Sequence, residues 1–290
     1  MMEENASQSG NFKPSHDPNC LLQQIPDLTK IAKIDSKLIF NKDSANFCAQ
    51  DWIIIAETIY ENYSRYDGFV VIHGTDTMSY TASALSFILQ GLNKPVILTG
   101  SQIPLSEVAS DGRNNVINAV RFAGEDIAEV CIFFGSRLIR GNKSTKISEF
   151  DLRAFETVNA PYLGKVGLDI ILRESYRHPS PQRNLELKTD FDTHVAIIKI
   201  FPNINISYFE TLLQTGIRGI VIEGFGAGNL PDKDERFDAF FKKCQEKDMS
   251  GLSQPNVSTE QQNTNDMSGA SRQKILDASL PLIGAKKQPL

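Results

Sequence analysis

Three short, uninterrupted apolar runs separated by helix-period segments constrain this chain most. Phe69-Val70-Val71-Ile72 is bounded by Gly68 and Gly74, and comparable runs occupy Pro95 to Leu98 and Val130 to Phe134. A run apolar at every position has no solvent face, so each reads as a strand buried on both sides. Between them the period changes. Trp52, Ile55, Ala56 and Ile59 recur at helical spacing, predicting a helix from about Ala49 to Tyr66. A second helix is predicted from Thr77 or Ser79 through Leu89, and a third from Gly112 to Ala123 after a loop from Thr99 to Asp111. Strand, loop and helix in alternation predict an α/β fold whose parallel sheet is covered by helices on both faces.

Further along, Gly135 to about Tyr162 reads as loop, and Val166 to Leu172 as one more strand. A polar stretch, 173–193, reads as a linker to a smaller α/β lobe. That lobe has strands at Val195 to Ile200 and Gly219 to Ile222, and helices at Ile206 to Gln214 and Asp234 to Lys247. The predicted organisation is therefore a polar N-terminal segment 1–34, a larger lobe 35–172, the linker 173–193, a partial C-terminal lobe 194–248 and a tail 249–290. The tail is rich in Ser, Gln, Asn, Thr and Gly and offers too little apolar surface to order itself.

Composition narrows the function classes. A net charge of -5 over 290 residues, without a basic stripe, argues against nucleic acid as partner. No apolar run approaches the roughly 20 residues that span a bilayer, and Met1 to Pro18 lacks the apolar core of a signal peptide. Cys20, Cys48, Cys131 and Cys244 are scattered without metal-binding spacing and read as reduced thiols of a cytoplasmic protein. Neither GxGxxG nor GxxxxGK[ST] occurs, which places nucleotide binding low.

Ligands of open α/β sheets bind beyond the carboxyl ends of the strands. Those ends carry His73-Gly74-Thr75-Asp76-Thr77, Thr99-Gly100-Ser101-Gln102 and Gly135-Ser136. The first is the densest: a glycine permits close backbone approach, and two hydroxyls flank a carboxylate where a helix begins. Ordinary helix capping by Thr and Asp explains the same residues. A hydroxyl nucleophile also needs a base, and a lysine can serve. Lys146 follows the third strand end, although a lone lysine is more often a solvated surface charge.

The segment Gly68-Phe-Val-Val-Ile-His-Gly-Thr-Asp-Thr-Met78 resembles, at every defined position, the second active-site signature of the bacterial-type L-asparaginase family. The resemblance continues, in order, through Asp43-Ser44-Ala45-Asn46-Phe47, Leu98-Thr-Gly-Ser-Gln102, Ser110-Asp-Gly-Arg113, Arg140-Gly-Asn-Lys-Ser-Thr-Lys146 and Gly226-Ala-Gly-Asn229. It is nearer the cytosolic type, including animal forms with ankyrin repeats, than the periplasmic type. It implies a two-lobed amide hydrolase converting L-asparagine and water to L-aspartate and ammonia, without cofactor or metal, in a homodimer or tetramer.

By this resemblance Thr75, Lys146 and Asp76 form a relay in which Lys146 withdraws a proton from Thr75 or a water. Asp76 also holds the substrate α-amino group, Ser44 grips the α-carboxylate, and Gly74 lets the backbone close on the substrate. Ala45 stands where a hydrogen-bonding residue is usual, and Asn229 would lie near a neighbouring subunit's site. Bland alternatives stand beside these roles: Ser44 as a turn residue, Asn229 as a left-handed turn residue, and His73, the favoured case, as a hydrogen-bonded core histidine.

The sequence departs from the family pattern at both ends. The family's opening strand ends in Thr-Gly-Gly-Thr-Ile, which carries a first threonine nucleophile; here the only threonine before Asp35 is Thr29, without glycines or a preceding apolar strand. Both ends are read as replaced or truncated. Loss of that strand predicts sheet neighbours without ladder partners. It also raises the alternative of a catalytically impaired member that binds an amino acid or regulates full-length subunits.

Overall fold

The structure, a computed structural model, describes residues 2–4, 12–14, 20–247 and 249–255. The chain divides into two compact units, Met1–Thr189 and Asp190–Leu290.

The first unit is built on a six-stranded sheet. Its strands lie in the order Ile170–Leu172, Gly164–Val166, Arg137–Arg140, Val130–Phe134, Val96–Thr99 and Phe69–Ile72. The last three are parallel, as the apolar runs predict. All of Val96–Thr99 and Val130–Phe134 is buried. Alternate residues serve opposite faces: Ile97, Cys131 and Phe133 pack with Ala119 and Phe122 of the Gly112–Phe122 helix. The opposite set includes Val96, Leu98, Val130 and Ile132, equally buried. Each fully buried side chain of this size contributes about 1.5–3 kcal/mol.

The other half of the sheet is antiparallel, against the expectation of loop from Gly135 to Tyr162. Gly135 and Ser136 form a two-residue hairpin turn between Val130–Phe134 and Arg137–Arg140. Gly135 takes the first turn position at φ +63, where glycine is suited to the left-handed conformation. The dipeptide read as a ligand-facing strand end is thus a turn. Two further strands, Ser144–Lys146 and Phe155–Thr157, pair antiparallel within the same stretch. The strand predicted from Val166 to Leu172 is instead a hairpin of Gly164–Val166 and Ile170–Leu172.

Parts of two segments expected to lie outside the lobe belong to it. Helices Cys20–Gln24 and Leu28–Ile31 bring Ile25 and Leu28, both fully buried, against Val116. Leu21, Ile25 and Leu28 have helical spacing, but Pro26 interrupts the pattern and hides it. The predicted linker 173–193 is likewise tied down: Arg177 N–H donates to Glu129 Oε1 at 2.6 Å, and Glu186–Leu187 pairs with Leu89–Gln90.

The second unit is a three-stranded parallel sheet, Val195–Lys199, Gly219–Gly224 and Ser250–Pro255. Ile198, Ile220 and Ile222 pack with Phe237 and Phe240 of the Glu235–Glu246 helix. Asp234 caps that helix by accepting from Arg236 N–H. Ile206–Gln214, predicted helical, is a 3-10 helix. The tail expected from 249 first supplies Ser250–Pro255 to the sheet, its backbone pairing with Gly219–Gly224; residues 256–290 of that expected tail lie outside the described residues.

Candidate active site

At the carboxyl end of Phe69–Ile72 the chain passes His73 and Gly74 and turns through Thr75, Asp76 and Thr77 into the Met78–Ile88 helix. Capping does not explain these polar residues. The N-cap is Thr77, and its side chain makes no cap bond; the hydroxyl donates to Ser44 O at 2.8 Å instead. Thr75 and Asp76 share a different partner. Lys146 Nζ donates to Thr75 Oγ1 at 2.9 Å and to Asp76 Oδ1 at 2.7 Å.

Lys146 ends the Ser144–Lys146 strand, paired with Phe155 in the register of the Phe155–Thr157 strand. Its side chain is 19% exposed, against 62% for Asp76. The lysine is therefore no solvated surface charge: the protein surrounds it and leaves the carboxylate facing solvent. Such a pair contributes little to stability when one partner is exposed.

Ser44 comes from a short 3-10 helix, Ser44–Asn46, capped by Asp43, whose carboxylate accepts from Ala45 N–H at 3.0 Å. Ser44 is buried, whereas Ala45 is exposed and offers only its methyl group. Gly74 is needed at this contact. A Cβ there would stand 2.5 Å from Ser44 Oγ and 2.8 Å from Ser44 Cβ, closer than real side chains approach.

Asp111 and Asn115 support the site, and residue-by-residue reading assigns them no role. Asp111 precedes the Gly112–Phe122 helix but does not cap it. Its buried carboxylate accepts from Gln102 N–H, Ile103 N–H and Asn115 Nδ2 at 2.9–3.1 Å. Asn115 also donates to Gly100 O and accepts from Gly135 N–H. Gln102 Nε2 in turn donates to Ser148 O at 3.3 Å, just beyond Lys146. The available signal was Asp111 and Asn115, four residues apart on the side of the helix that also carries the buried Ala119 and Phe122.

A broad trough of 1590 Å³ holds Ser44, Gly74, Thr75 and Asp76 and continues along the open side of Phe69–Ile72, past Ile55 and Ile59. It exceeds the roughly 300–1,000 Å³ usual for a small-molecule pocket. The structure thus brings Ser44, Gly74, Thr75, Asp76 and Lys146 together. Asn229 belongs to the second unit. It is exposed, and its N–H donates to Phe225 O at 2.8 Å in a tight turn. The positive φ values of that turn fall on Gly226 (+43) and Gly228 (+99), so Asn229 is not a left-handed turn residue.

Comparison with known proteins gives the family. The family described as "Asparaginase, N-terminal" matches residues 2–177, and "Glutaminase/Asparaginase C-terminal domain" matches residues 194–274. The chain belongs to the asparaginase family. L-asparaginase 1 of Escherichia coli K12 is 41% identical over 213 residues, covering 72% of this chain and 61% of that protein. A Mus musculus protein named 60 kDa lysophospholipase is 43% identical over 195 residues, covering 67% of this chain and 35% of its own length. The chain thus spans about a third of one asparaginase-family relative and less than two thirds of the other. The thermostable L-asparaginase from Thermococcus kodakarensis superposes with a TM-score of 0.80 at 26% identity, over 94% of this chain and 82% of that one. Among the described residues, no helix is long and apolar enough to cross a membrane.

Proposed function

We propose that this chain is an L-asparaginase-like amide hydrolase whose reacting centre is Thr75, Lys146 and Asp76. The observation that carries the proposal is Lys146 Nζ lying within hydrogen-bond reach of both Thr75 Oγ1 and Asp76 Oδ1, with family membership supplying the reaction class.

The substrate α-carboxylate would meet Ser44 and the backbone at Gly74. The second oxygen of Asp76 would take the α-amino group. Thr75 Oγ1, or a water it orients, attacks the side-chain amide carbon while Lys146 accepts the displaced proton. The proton then passes to the leaving nitrogen and ammonia departs; where Thr75 itself attacks, the ester it forms is then cleaved by water, releasing L-aspartate and restoring the hydroxyl. This chemistry requires neither metal nor cofactor. A homodimer or tetramer in the cytoplasm completes the proposal; the free thiols at Cys48, Cys131 and Cys244 suit a reducing compartment.

One observation favours a second reading. No described strand pairs with the outer edge of Phe69–Ile72, so the trough stays open where a catalytic pocket excludes water. That favours a member that binds the amino acid with impaired turnover, or that regulates full-length subunits. Ammonia release from L-asparagine decides between them, with the oligomeric state recorded on the same sample. The hydrolase reading predicts release that falls by about 10³-fold or more in Thr75→Val and Lys146→Ala. Release that ignores both substitutions contradicts it, and a folded protein that binds L-aspartate without release supports the second reading.

A further inference from the structure

His73 is 6% exposed at the end of the Phe69–Ile72 strand. Its backbone N–H donates to Thr99 O at 2.8 Å. Its ring meets two partners of unlike capacity. Nδ1 lies 2.7 Å from Gly74 O, and a carbonyl oxygen only accepts, so Nδ1 carries the proton. Nε2 lies 2.9 Å from Thr81 Oγ1 on the Met78–Ile88 helix. Trp52 Nε1, on the Ala49–Asn62 helix, is 3.0 Å from that same hydroxyl. An indole N–H only donates, so Thr81 accepts from Trp52 and gives its own proton to Nε2. Three elements thus form one chain of bonds running in a single direction, from Trp52 through Thr81 and His73 to the Gly74 carbonyl. Burial pushes the imidazole below its ordinary range, with the Gly74 carbonyl pulling the other way, which keeps Nε2 an acceptor.

The chain ends on the residue that most needs restraint. Gly74 has no Cβ because Ser44 leaves no room for one, and glycine has the widest backbone freedom. A trans peptide is planar, with its C=O and the next N–H opposed. Fixing the Gly74 carbonyl therefore fixes the Thr75 N–H and the plane from which the Thr75 side chain leaves. We infer that His73, backed by Thr81 and Trp52, is a positioning residue: its Nδ1–H pins the Gly74 carbonyl and so sets where the Thr75 hydroxyl stands relative to Lys146. The inference rests on Thr75 being the reacting group.

Two measurements on the full chain test it, one independent of turnover. Ring ¹H–¹⁵N correlation spectra show the Nδ1–H tautomer of His73, and the Thr75 amide resonance moves in Thr81→Val and returns in Thr81→Ser. An Nε2–H tautomer, or a Thr75 amide indifferent to Thr81→Val, overturns the inference even if the protein hydrolyses nothing. Where ammonia is released, Thr81→Val and His73→Leu lower kcat by about 10- to 100-fold with KM changed far less. His73→Asn, whose amide nitrogen can reach the place of Nδ1, recovers part of the loss. Equal loss in His73→Asn and His73→Leu, or altered melting without a change in kcat, makes the histidine a packing residue only. Absence of ammonia from the unsubstituted chain counts against the hydrolase reading and leaves the spectroscopic test intact.

Discussion

The strands Val130–Phe134 and Phe69–Ile72 belong to one sheet and carry similar apolar residues, yet they sit in opposite circumstances. Val130–Phe134 has a partner on each side and no residue more than 2% exposed. Among the described residues Phe69–Ile72 is paired on one side only, and Ile72 is 37% exposed. The difference extends to the loops each strand feeds. Beyond Val130–Phe134, Asp111, Asn115 and Gln102 tie Gly100, Gly135 and Ser148 together behind Lys146. Beside Phe69–Ile72 there is a trough instead. One wall of the site is complete and the other is open, so the lysine wall can hold its geometry while the strand wall lacks a cover.

Hydrogen exchange offers the sharpest way to break that comparison. Phe69 and His73 donate inward, to Pro95 O and Thr99 O, so in a regular strand Val70 and Ile72 direct their N–H groups to the outer edge. Their amides should exchange about 100-fold or more faster than those of Leu98 and Ile132. Equal protection would mean that something covers the edge. Next in size is Gly74→Ala, where the added methyl meets Ser44; the expected cost is about 1–3 kcal/mol in urea unfolding, with weakened L-aspartate binding. Asp111→Ala should cost a similar or slightly smaller amount, about 1–3 kcal/mol, by leaving Gln102 and Ile103 N–H groups without their acceptor. Asp111→Asn, which keeps an acceptor, should recover part of it.

The smallest effect is a pH dependence. The imidazole of His73 is held below its ordinary range by burial. Below about pH 6.5 the unfolded chain takes up a proton that the folded ring resists. This contribution to stability is whole above that pH and is lost as pH falls toward the folded-state value. Melting temperatures compared at about pH 7.5 and 5.5 should fall on acidification, and fall less in His73→Asn.

What was legible in the sequence follows from the range of each signal. Continuous apolar runs announced the parallel strands because burial on both faces leaves that mark in four or five successive residues. The hairpin at Gly135-Ser136 was missed although its dipeptide is a turn signal, because the strand-end rule claimed the same residues for a ligand. Pro26 concealed the packing of Ile25 and Leu28. The site divides in the same way. Gly74 through Thr77 stand together in the chain and draw attention by density. Lys146 lies 71 residues from Thr75, and no local pattern separates it from a surface lysine; its place after the third strand end made it a candidate, and only resemblance to a family gave it a partner. The Asp111 carboxylate, quoted in a motif, received no role because its partners, Gln102 and Ile103, lie in an irregular loop where periodicity carries no information.

The most direct test of the account is an L-aspartate titration followed in ¹H–¹⁵N spectra of the intact chain, which asks whether the trough beside Phe69–Ile72 already holds an amino acid. The account predicts saturable shifts concentrated at Ser44 and Gly74 through Thr77, with the saturation point moved to higher ligand concentration in Gly74→Ala. Shifts confined to the second unit, or no saturation at millimolar ligand, would contradict it.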